Sequence, residues 1–104
     1  MADFCRVFQA IADDHRQRIL LLLEDHDRCV GELVARFSLS QSAVSKHLAV
    51  LKNAGLVADK RCGQQVIYSL NRQNLQDCCR EYFIKFECCS SLFAQHNGEK
   101  QREG

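Results

Sequence analysis

Residues 29–70 read CVGELVARFSLSQSAVSKHLAVLKNAGLVADKRCGQQVIYSL. Two helical patterns lie in this stretch, separated by a short Ser-Leu-Ser turn. In the second pattern Val44, Leu48 and Leu51 recur at i, i+4 and i+7, which places apolar side chains on one face and polar ones on the others. Ser40 is a good N-cap for this helix. Two helices joined by a tight turn, the second polar and basic on one face, predict a helix-turn-helix.

A β-hairpin is predicted directly after the second helix. The sequence Asn-Ala-Gly at residues 53–55 is a glycine stop for that helix. Residues 56–61 and 65–70 then have strand character on either side of a turn at residues 62–64. A hairpin in this position makes the predicted helix-turn-helix a winged one.

Helices are also predicted on both sides of this central part. Apolar spacing indicates a short helix over about residues 4–12 and an aliphatic helix over about residues 15–24, for which Asp13 and Asp14 are good caps. Residues 72–94 have the pattern of one long helix with a broad apolar stripe. The predicted fold is mainly α with a two-stranded β-hairpin, in the order α-α-α-α-β-β-α.

Length and composition point to one small folded domain. The chain has 104 residues, of which 46% are hydrophobic and 26% charged, as in soluble globular proteins. We expect the domain to span residues 1–96 and the polar end, residues 97–104, to be a disordered tail. No leader-like or membrane-spanning run is visible, and seven cysteines without a regular framework are typical of reduced cytosolic thiols. The predicted location is the cytoplasm, with no membrane partner.

The charge is distributed unevenly along the chain. The net charge is only +1, but the segment 36–72 contains six basic residues and one acid, a net +5. The rest of the chain carries a net −4. This asymmetry indicates an anionic partner for the middle of the chain, and nucleic acid is the first candidate.

The long apolar stripe of the last helix predicts a homodimer. A domain this small has a core already formed by its middle helices, so a second long apolar surface is best explained by contact with another copy of the chain. The first helix is expected to share that interface. Burial of more apolar area would also stabilise a chain whose own core is small.

The polar face of the predicted second helix of the motif carries side chains suited to DNA. Gln41 can pair with adenine through two hydrogen bonds, and Ser42 and Ser45 can reach base edges as short donors or acceptors. Lys46 suits a phosphate, and His47 can contact either a base or a phosphate. The hairpin side chains predicted to reach the DNA backbone or minor groove are Lys60, Arg61, Gln64 and Gln65.

The segment 29–70 resembles the core of the ArsR/SmtB winged-helix repressors. The run SQSAVSKHLAVLKNAGLV, the basic hairpin and the tyrosine in its second strand fit the pattern of that family, and the resemblance extends over roughly residues 4–93. It implies a homodimer, joined through the first and last helices, that occupies double-stranded operator DNA. It also implies an inducer whose binding lowers the affinity for DNA.

The resemblance leaves the inducer open, because members of the family bind inducers at different places. Zinc sensors of the family use Asp, His and Glu along the last helix, where this chain offers Asp77, Glu81 and Glu87 with only His96 near the end. Zinc sensing at that helix is therefore not favoured. The Cys-Val-Cys run of the best-known arsenic site is represented here by the single Cys29.

The sequence Phe-Glu-Cys-Cys at residues 86–89 resembles the vicinal cysteine pair of a second group of arsenic-responsive members. Soft thiolates suit As(III), and adjacent residues can supply two of its three bonds. Cys88 and Cys89 are therefore the predicted ligands of As(III) or another soft thiophilic metal(loid), which acts as inducer and is not required for folding. Cys5 and Cys29 are candidates for a third thiolate, and two thiols alone suit a methylated or aryl arsenical.

A second interpretation uses the cysteines differently. Persulfide- and oxidant-sensing members of the family carry one cysteine near the start of the third helix and one late in the last helix, and Cys29 and Cys88 match both places. Their chemistry is oxidation to a disulfide or polysulfide bridge. Cys78 and Cys79 lie near the apolar stripe and are expected to pack as small hydrophobic residues, and no role is predicted for Cys62.

An enzymatic function is not favoured. The chain has no Cys-X-X-Cys motif beside a βαβ pattern and no cysteine with an evident histidine partner. Asp13, Asp14 and His15 could suggest acid/base chemistry, but helix capping explains them more simply. We predict a DNA-binding repressor and not an enzyme.

Overall fold

The computed structural model describes residues 4–93 and shows a helical protein with one small antiparallel sheet. The predicted order of helices and hairpin is confirmed, with one short strand added. Residues 87–93 are also helical. The elements are α1 (Phe4–Ile11), α2 (Asp14–Asp25), β1 (Arg28–Cys29), α3 (Val30–Val34), α4 (Gln41–Asn53), β2 (Val57–Cys62), β3 (Gln65–Leu70) and α5 (Arg72–Phe83).

The predicted two-stranded hairpin is confirmed as β2 and β3, and a third short strand extends the sheet to the order β1-β3-β2. The added strand pairs Arg28 with Tyr68 and Cys29 with Ile67. Arg28 is 4% exposed, and its guanidinium donates from Nε to the carbonyl of Leu22 and from Nη2 to Asp25, both at 3.0 Å. These bonds hold the segment after α2 beside β3. A strand of two residues has no alternation pattern that the sequence could reveal.

Side-chain caps fix where the helices start. Asp13 accepts a hydrogen bond from the backbone N–H of Arg16 at 3.1 Å at the start of α2. Ser40 accepts one from the backbone N–H of Ala43 at 3.1 Å at the start of α4. Each bond satisfies an N–H that has no partner within the helix, so both predicted N-caps are confirmed.

The core lies where α2, α3 and α4 meet the base of the hairpin. All of its largest side chains are fully buried aliphatic groups, as the helical spacing of the sequence predicted. These residues are Ile19, Leu23, Leu33, Val44, Leu48, Leu51 and Leu56. The second helix of the predicted helix-turn-helix, α4, which we call the recognition helix, is therefore held through its apolar face while its other faces remain available.

The start of α5 is tied to the end of α4. Gly55 follows α4 with a φ of +79°, a left-handed conformation that favours glycine. Asn74 of α5 donates from Nδ2 to the carbonyl of Gly55 at 2.8 Å, and a Cβ on Gly55 would lie 2.6 Å from that nitrogen. The two helices thus share a contact that a side chain at this position would disturb.

The last helix is interrupted, so the prediction of one continuous helix over residues 72–94 was wrong. α5 ends at Phe83, residues 84–86 form a turn, and the chain is helical again over residues 87–93. In the turn, Lys85 and Phe86 donate backbone N–H bonds to carbonyls three residues earlier, Tyr82 and Phe83, at 3.2 and 3.0 Å. This tighter i to i−3 bonding replaces the α-helical pattern. No glycine or proline marks the interruption.

An aromatic cluster joins α1 to the end of α5. Phe8 packs edge-on against Tyr82 with ring centroids 4.7 Å apart, and Phe86 lies 5.4 Å from the same ring. Phe4 completes the contact with α1 at 5.3 Å from Tyr82. Phe83 and Phe86 remain 37% and 44% exposed. The cluster therefore has an open apolar side, at the place where the homodimer interface is predicted.

Two predictions depend on the ends of the chain. The boundary of the domain at residue 96 and the disordered tail at residues 97–104 lie outside the described residues, as does His96. Within residues 4–93, no helix combines the length and the apolar character needed to cross a membrane.

Candidate nucleic-acid interface and thiol sites

The exposed faces of α4 carry four of the predicted DNA-contacting residues. Val44 and Leu48 anchor the opposite face at 0% exposure. Ser42 is also close to the N-cap, with its hydroxyl 3.3 Å from that of Ser40. Lys46 makes no salt bridge with any residue in the range 4–93. The four exposed residues are Gln41, Ser42, Ser45 and Lys46.

His47 is placed differently from its four neighbours. It is half-buried, and its Nδ1 lies 3.2 Å from Nη1 of Arg16 in α2. Its ring also lies 5.5 Å from that of His15. Because a guanidinium can only donate, His47 accepts through Nδ1 and carries its hydrogen on Nε2. A contact between His47 and DNA stays a prediction.

The hairpin forms an exposed wing. β2 and β3 pair from Val57 opposite Leu70 to Cys62 opposite Gln65. Gly63, with a φ of +66°, permits the tight turn between them. Lys52 of α4 places its Nζ 3.0 Å from the carboxylate of Asp59 in β2, which joins the recognition helix to the wing. The predicted wing contacts Lys60, Arg61, Gln64 and Gln65 are all exposed.

A cleft of about 400 Å³ separates the recognition helix from the wing. Gln41 and Ser45 line it from α4, and Gln64 and Gln65 line it from the wing. Cys29, at the start of α3, lines it as well. The structure thus brings four of the predicted DNA contacts, two from α4 and two from the wing, around one space and adds a thiol that the sequence had not connected with them.

Cys29 is held at the start of α3 through its backbone. Its N–H donates to Oε1 of Glu32 at 2.9 Å, and this bond is the main cause that lowers the pKa of the Glu32 carboxyl. The thiol is half-buried and is not in a disulfide. Because Cys29 lines the cleft, a chemical modification of its sulfur would occur between α4 and the wing.

Cys88 and Cys89 form the thiol pair that the sequence predicted. Their Sγ atoms are 3.9 Å apart, both are free thiols, and Cys88 is exposed while Cys89 is half-buried. Hydrogen bonding with Cys88 raises the pKa of Cys89, with smaller contributions from burial and charge. Among residues 4–93, no third Cys, His, Asp or Glu joins this pair in a cluster with metal-binding spacing.

The other cysteines lie elsewhere. Cys78 is buried at 3% exposure, and burial raises the pKa of its thiol, which agrees with the prediction that it packs as a small hydrophobic residue. Cys79 is half-buried beside it. Cys5 on α1 and Cys62 at the end of β2 are both exposed.

The sequence did not reveal a polar cluster beneath the recognition helix. Arg16 of α2 donates to the carbonyls of Ala10 and Gln9 at 2.7 and 3.2 Å and also reaches His47. Asp13 and His15, interpreted from sequence as helix caps, lie next to it. The residues of α2 and α4 involved are about thirty positions apart, and no local pattern connects them.

Comparison with known proteins gives matches to bacterial transcriptional regulators. Residues 13–59 match the family described as bacterial regulatory protein, arsR family. The transcriptional repressor SdpR of Bacillus subtilis is 44% identical over 71 residues, which cover 68% of this chain and 79% of SdpR. The arsenic resistance transcriptional regulator ArsR1 of Pseudomonas putida is 46% identical over 66 residues, 62% of this chain and 52% of ArsR1. This chain therefore spans about half the length of ArsR1.

A solved structure supports the predicted fold. The crystal structure of a possible transcriptional regulator for arsenical resistance superposes with a TM-score of 0.70 at 33% identity, covering 86% of this chain and 94% of that one. The predicted winged helix-turn-helix fold is confirmed. The matches are to transcriptional regulators, which also agrees with the prediction that the chain is not an enzyme.

Proposed function

The chain belongs to the ArsR family of bacterial regulatory proteins, and from that premise we propose that it is a cytoplasmic repressor released from operator DNA by a thiophilic inducer. The inducer is As(III), as arsenite or an organoarsenical, bound by Cys88 and Cys89. The observation that carries this proposal is the pair of free, adjacent thiols with sulfur atoms 3.9 Å apart. Similarity to ArsR1, an arsenic resistance regulator, and to the solved possible regulator for arsenical resistance supports an arsenical inducer.

The DNA-binding surface consists of α4 and the wing. Gln41, Ser42 and Ser45 are exposed near the N-terminal end of α4, the end that enters the major groove in helix-turn-helix proteins. They read base edges, whereas Lys46 binds a phosphate. The proposed set is completed by His47 on α4 and by Lys60, Arg61, Gln64 and Gln65 on the wing.

The repressor acts as a homodimer through α1 and the last helical segments. The open side of the aromatic cluster, where Phe83 and Phe86 are exposed, provides apolar surface for a second copy. A dimer places two recognition helices about one turn of DNA apart, about 34 Å. Small changes at the interface then alter the spacing of the helices and the affinity for DNA.

The thiol pair is connected to this interface by a short path. The backbone N–H of Cys89 donates to the carbonyl of Phe86 at 2.9 Å, and the ring of Phe86 packs on Tyr82. An arsenical that pulls the two sulfur atoms together displaces the backbone next to Phe86. The bond from Asn74 to Gly55 connects the other end of α5 to the recognition helix. Inducer binding and DNA binding are then linked, each weakening the other.

Two protein thiols satisfy two of the three As(III) bonds. A methylated or aryl arsenical supplies the third bond itself, so the pair alone suffices for such an inducer. Arsenite would keep a hydroxyl or recruit a further thiolate, for which Cys5 and Cys29 are the candidates. The metalloid takes no part in folding, because neither Cys88 nor Cys89 belongs to the buried core.

A second candidate function is thiol redox sensing through Cys29 and Cys88. The observation that favours it is the position of Cys29 in the cleft between α4 and the wing. Oxidation or persulfidation there would add bulk beside Gln41 and Gln65. A bridge to Cys88 of the same chain or the partner would then fix a conformation with low DNA affinity.

The test is release of a fluorescent promoter fragment, followed by anisotropy. The protein is titrated separately with arsenite, phenylarsine oxide and a persulfide donor, each with and without a reductant that spares arsenicals. Release by the arsenicals under reducing conditions supports the proposal. Release by the persulfide donor alone, with a linkage between Cys29 and Cys88 in the mass spectrum, would support redox sensing instead.

A further inference from the structure

Three side chains capable of binding a metal meet beneath the recognition helix. Asp13 caps α2, His15 lies in the first turn of α2, and His47 comes from α4. One ligand atom of each lies within 4.8 Å of the others, and all three residues are half-buried. We propose that this Asp13–His15–His47 cluster is a binding site for a divalent transition-metal ion, with Zn²⁺ as its probe.

The donor set determines which ions suit the site. Two imidazoles and one carboxylate are ligands typical of Zn²⁺, Co²⁺ and Ni²⁺, whereas Mg²⁺ and Ca²⁺ prefer oxygen alone. Three protein ligands leave a fourth, open position for water. The cluster contains no cysteine, so it is separate from the thiol pair and does not depend on the proposed inducer.

The geometry requires only a small contraction. Tetrahedral ligands about 2.1 Å from Zn²⁺ lie about 3.4 Å apart. Nδ1 of His15 is already 4.0 Å from Oδ1 of Asp13, and the rings of His15 and His47 are 5.5 Å apart and tilted by 30°. The side chain of His15 is 40% exposed and that of Asp13 is 29% exposed, so rotation of these side chains can close the remaining distance.

The carboxylate of Asp13 is in the charged form that binds a metal ion. The backbone N–H of Arg16 is the main cause that lowers the pKa of Asp13, which keeps its carboxylate charged at neutral pH. His15 offers Nδ1 beside that carboxylate. His47, by contrast, accepts from Arg16 through Nδ1 and carries its hydrogen on Nε2.

Metal binding therefore competes with Arg16. If Nδ1 of His47 binds the ion, the guanidinium must leave that nitrogen. If Nε2 binds, its hydrogen moves to Nδ1, which can then no longer accept. Either way the contact between Arg16 and His47 is replaced by a metal bridge from the start of α2 to the recognition helix. Since Nε and Nη2 of the same planar guanidinium bond the carbonyls of Ala10 and Gln9, its withdrawal from His47 loosens those two bonds as well.

The experiment follows the imidazole signals of the full-length protein by long-range ¹H–¹⁵N NMR during a Zn²⁺ titration. This readout is specific for each histidine, so zinc taken up by thiols does not obscure it. We expect the signals of His15 and His47 to change together. His26 pairs with Asp25 at 3.0 Å in an exposed position, and its signal should stay unchanged at the same Zn²⁺ concentrations.

Matched variants sharpen the test. In His15→Gln, the response of His47 should require at least about tenfold more Zn²⁺, since even the loss of an outer-shell partner costs about 10- to 100-fold. Asp13→Asn retains an N-cap acceptor but loses the charge, and should weaken binding similarly. His26→Gln should bind as the unchanged protein does. Unchanged His15 and His47 signals, or equal affinity in His15→Gln, would overturn the site whether or not the arsenical proposal holds.

Discussion

Lys46→Ala should reduce the salt dependence of DNA binding by an amount that the structure allows us to calculate. Lys46 is exposed on α4 and has no salt-bridge partner among residues 4–93, so its charge is available to a phosphate. The proposed homodimer would lose two such contacts. Each phosphate contact contributes about 0.9 to the slope of log K against log salt, so the slope should fall by about 1.8. The ratio of the DNA affinity of the unchanged protein to that of Lys46→Ala should therefore fall about tenfold when the salt is raised from about 50 to about 200 mM.

Lys52→Ala is the matched control for this prediction. It removes the same charge from the same helix, but Nζ of Lys52 lies 3.0 Å from the Asp59 carboxylate and is already engaged in an ion pair. Its effect on the slope should be clearly smaller than that of Lys46→Ala. Fluorescence anisotropy with the promoter fragment at four or more salt concentrations measures both slopes. Equal slopes for the two variants, or no change in either, would refute the assignment of Lys46 to a phosphate.

Three further predictions concern the specificity, assembly and stability of the proposed repressor. Gln41→Ala and Ser42→Ala should each lose about 1 to 3 kcal/mol of discrimination at particular base pairs, measured with a panel of single-base operator variants; uniform losses across the panel would contradict base reading. Phe86→Glu should yield monomers in sedimentation velocity because it puts a charge on the open aromatic surface, and a monomeric unchanged protein at micromolar concentration would contradict the dimer. Ser40→Ala should lower the free energy of unfolding by about 1 kcal/mol in urea, because it removes the cap of the recognition helix, whereas Ser40→Asp should retain it.

Most of the fold was predictable because its signals are local. The spacing of Val44 and Leu48, the capping side chains of Asp13 and Ser40, and the glycine in the wing turn each depend on a few adjacent residues. The structure confirms them. The uneven charge and the polar face of the second helix predicted DNA binding, and the family resemblance of the segment 29–70 added to that expectation, which the comparisons support.

The features that the sequence missed depend on distant contacts. β1 exists because Arg28 and Cys29 pair with β3, some forty residues away. The interruption after Phe83 carries no helix-breaking residue and accompanies the packing of the aromatic side chains against α1. The inward position of His47 follows from its contact with Arg16 on another helix. None of these contacts leaves a periodic pattern.

The exposure of Cys88 has a different origin from the one that helical spacing suggests. On one continuous helix, Cys88 would lie away from the apolar stripe and would be exposed for that reason. The helix is interrupted at residues 84–86, so angles counted along a single helix do not apply. Cys88 is nevertheless exposed, in the helical segment that begins after the turn. Its accessibility to a ligand therefore depends on the path of the chain after the turn.

The most direct test of the central claim is the concentration of phenylarsine oxide that releases half of the bound promoter fragment under reducing conditions. Cys88→Ser and Cys89→Ser should bind the fragment like the unchanged protein but resist release. Cys79→Ser, a control on α5 outside the pair, should be released normally. If Cys88→Ser and Cys89→Ser were released at the same concentration as the unchanged protein, the pair would not be the inducer site.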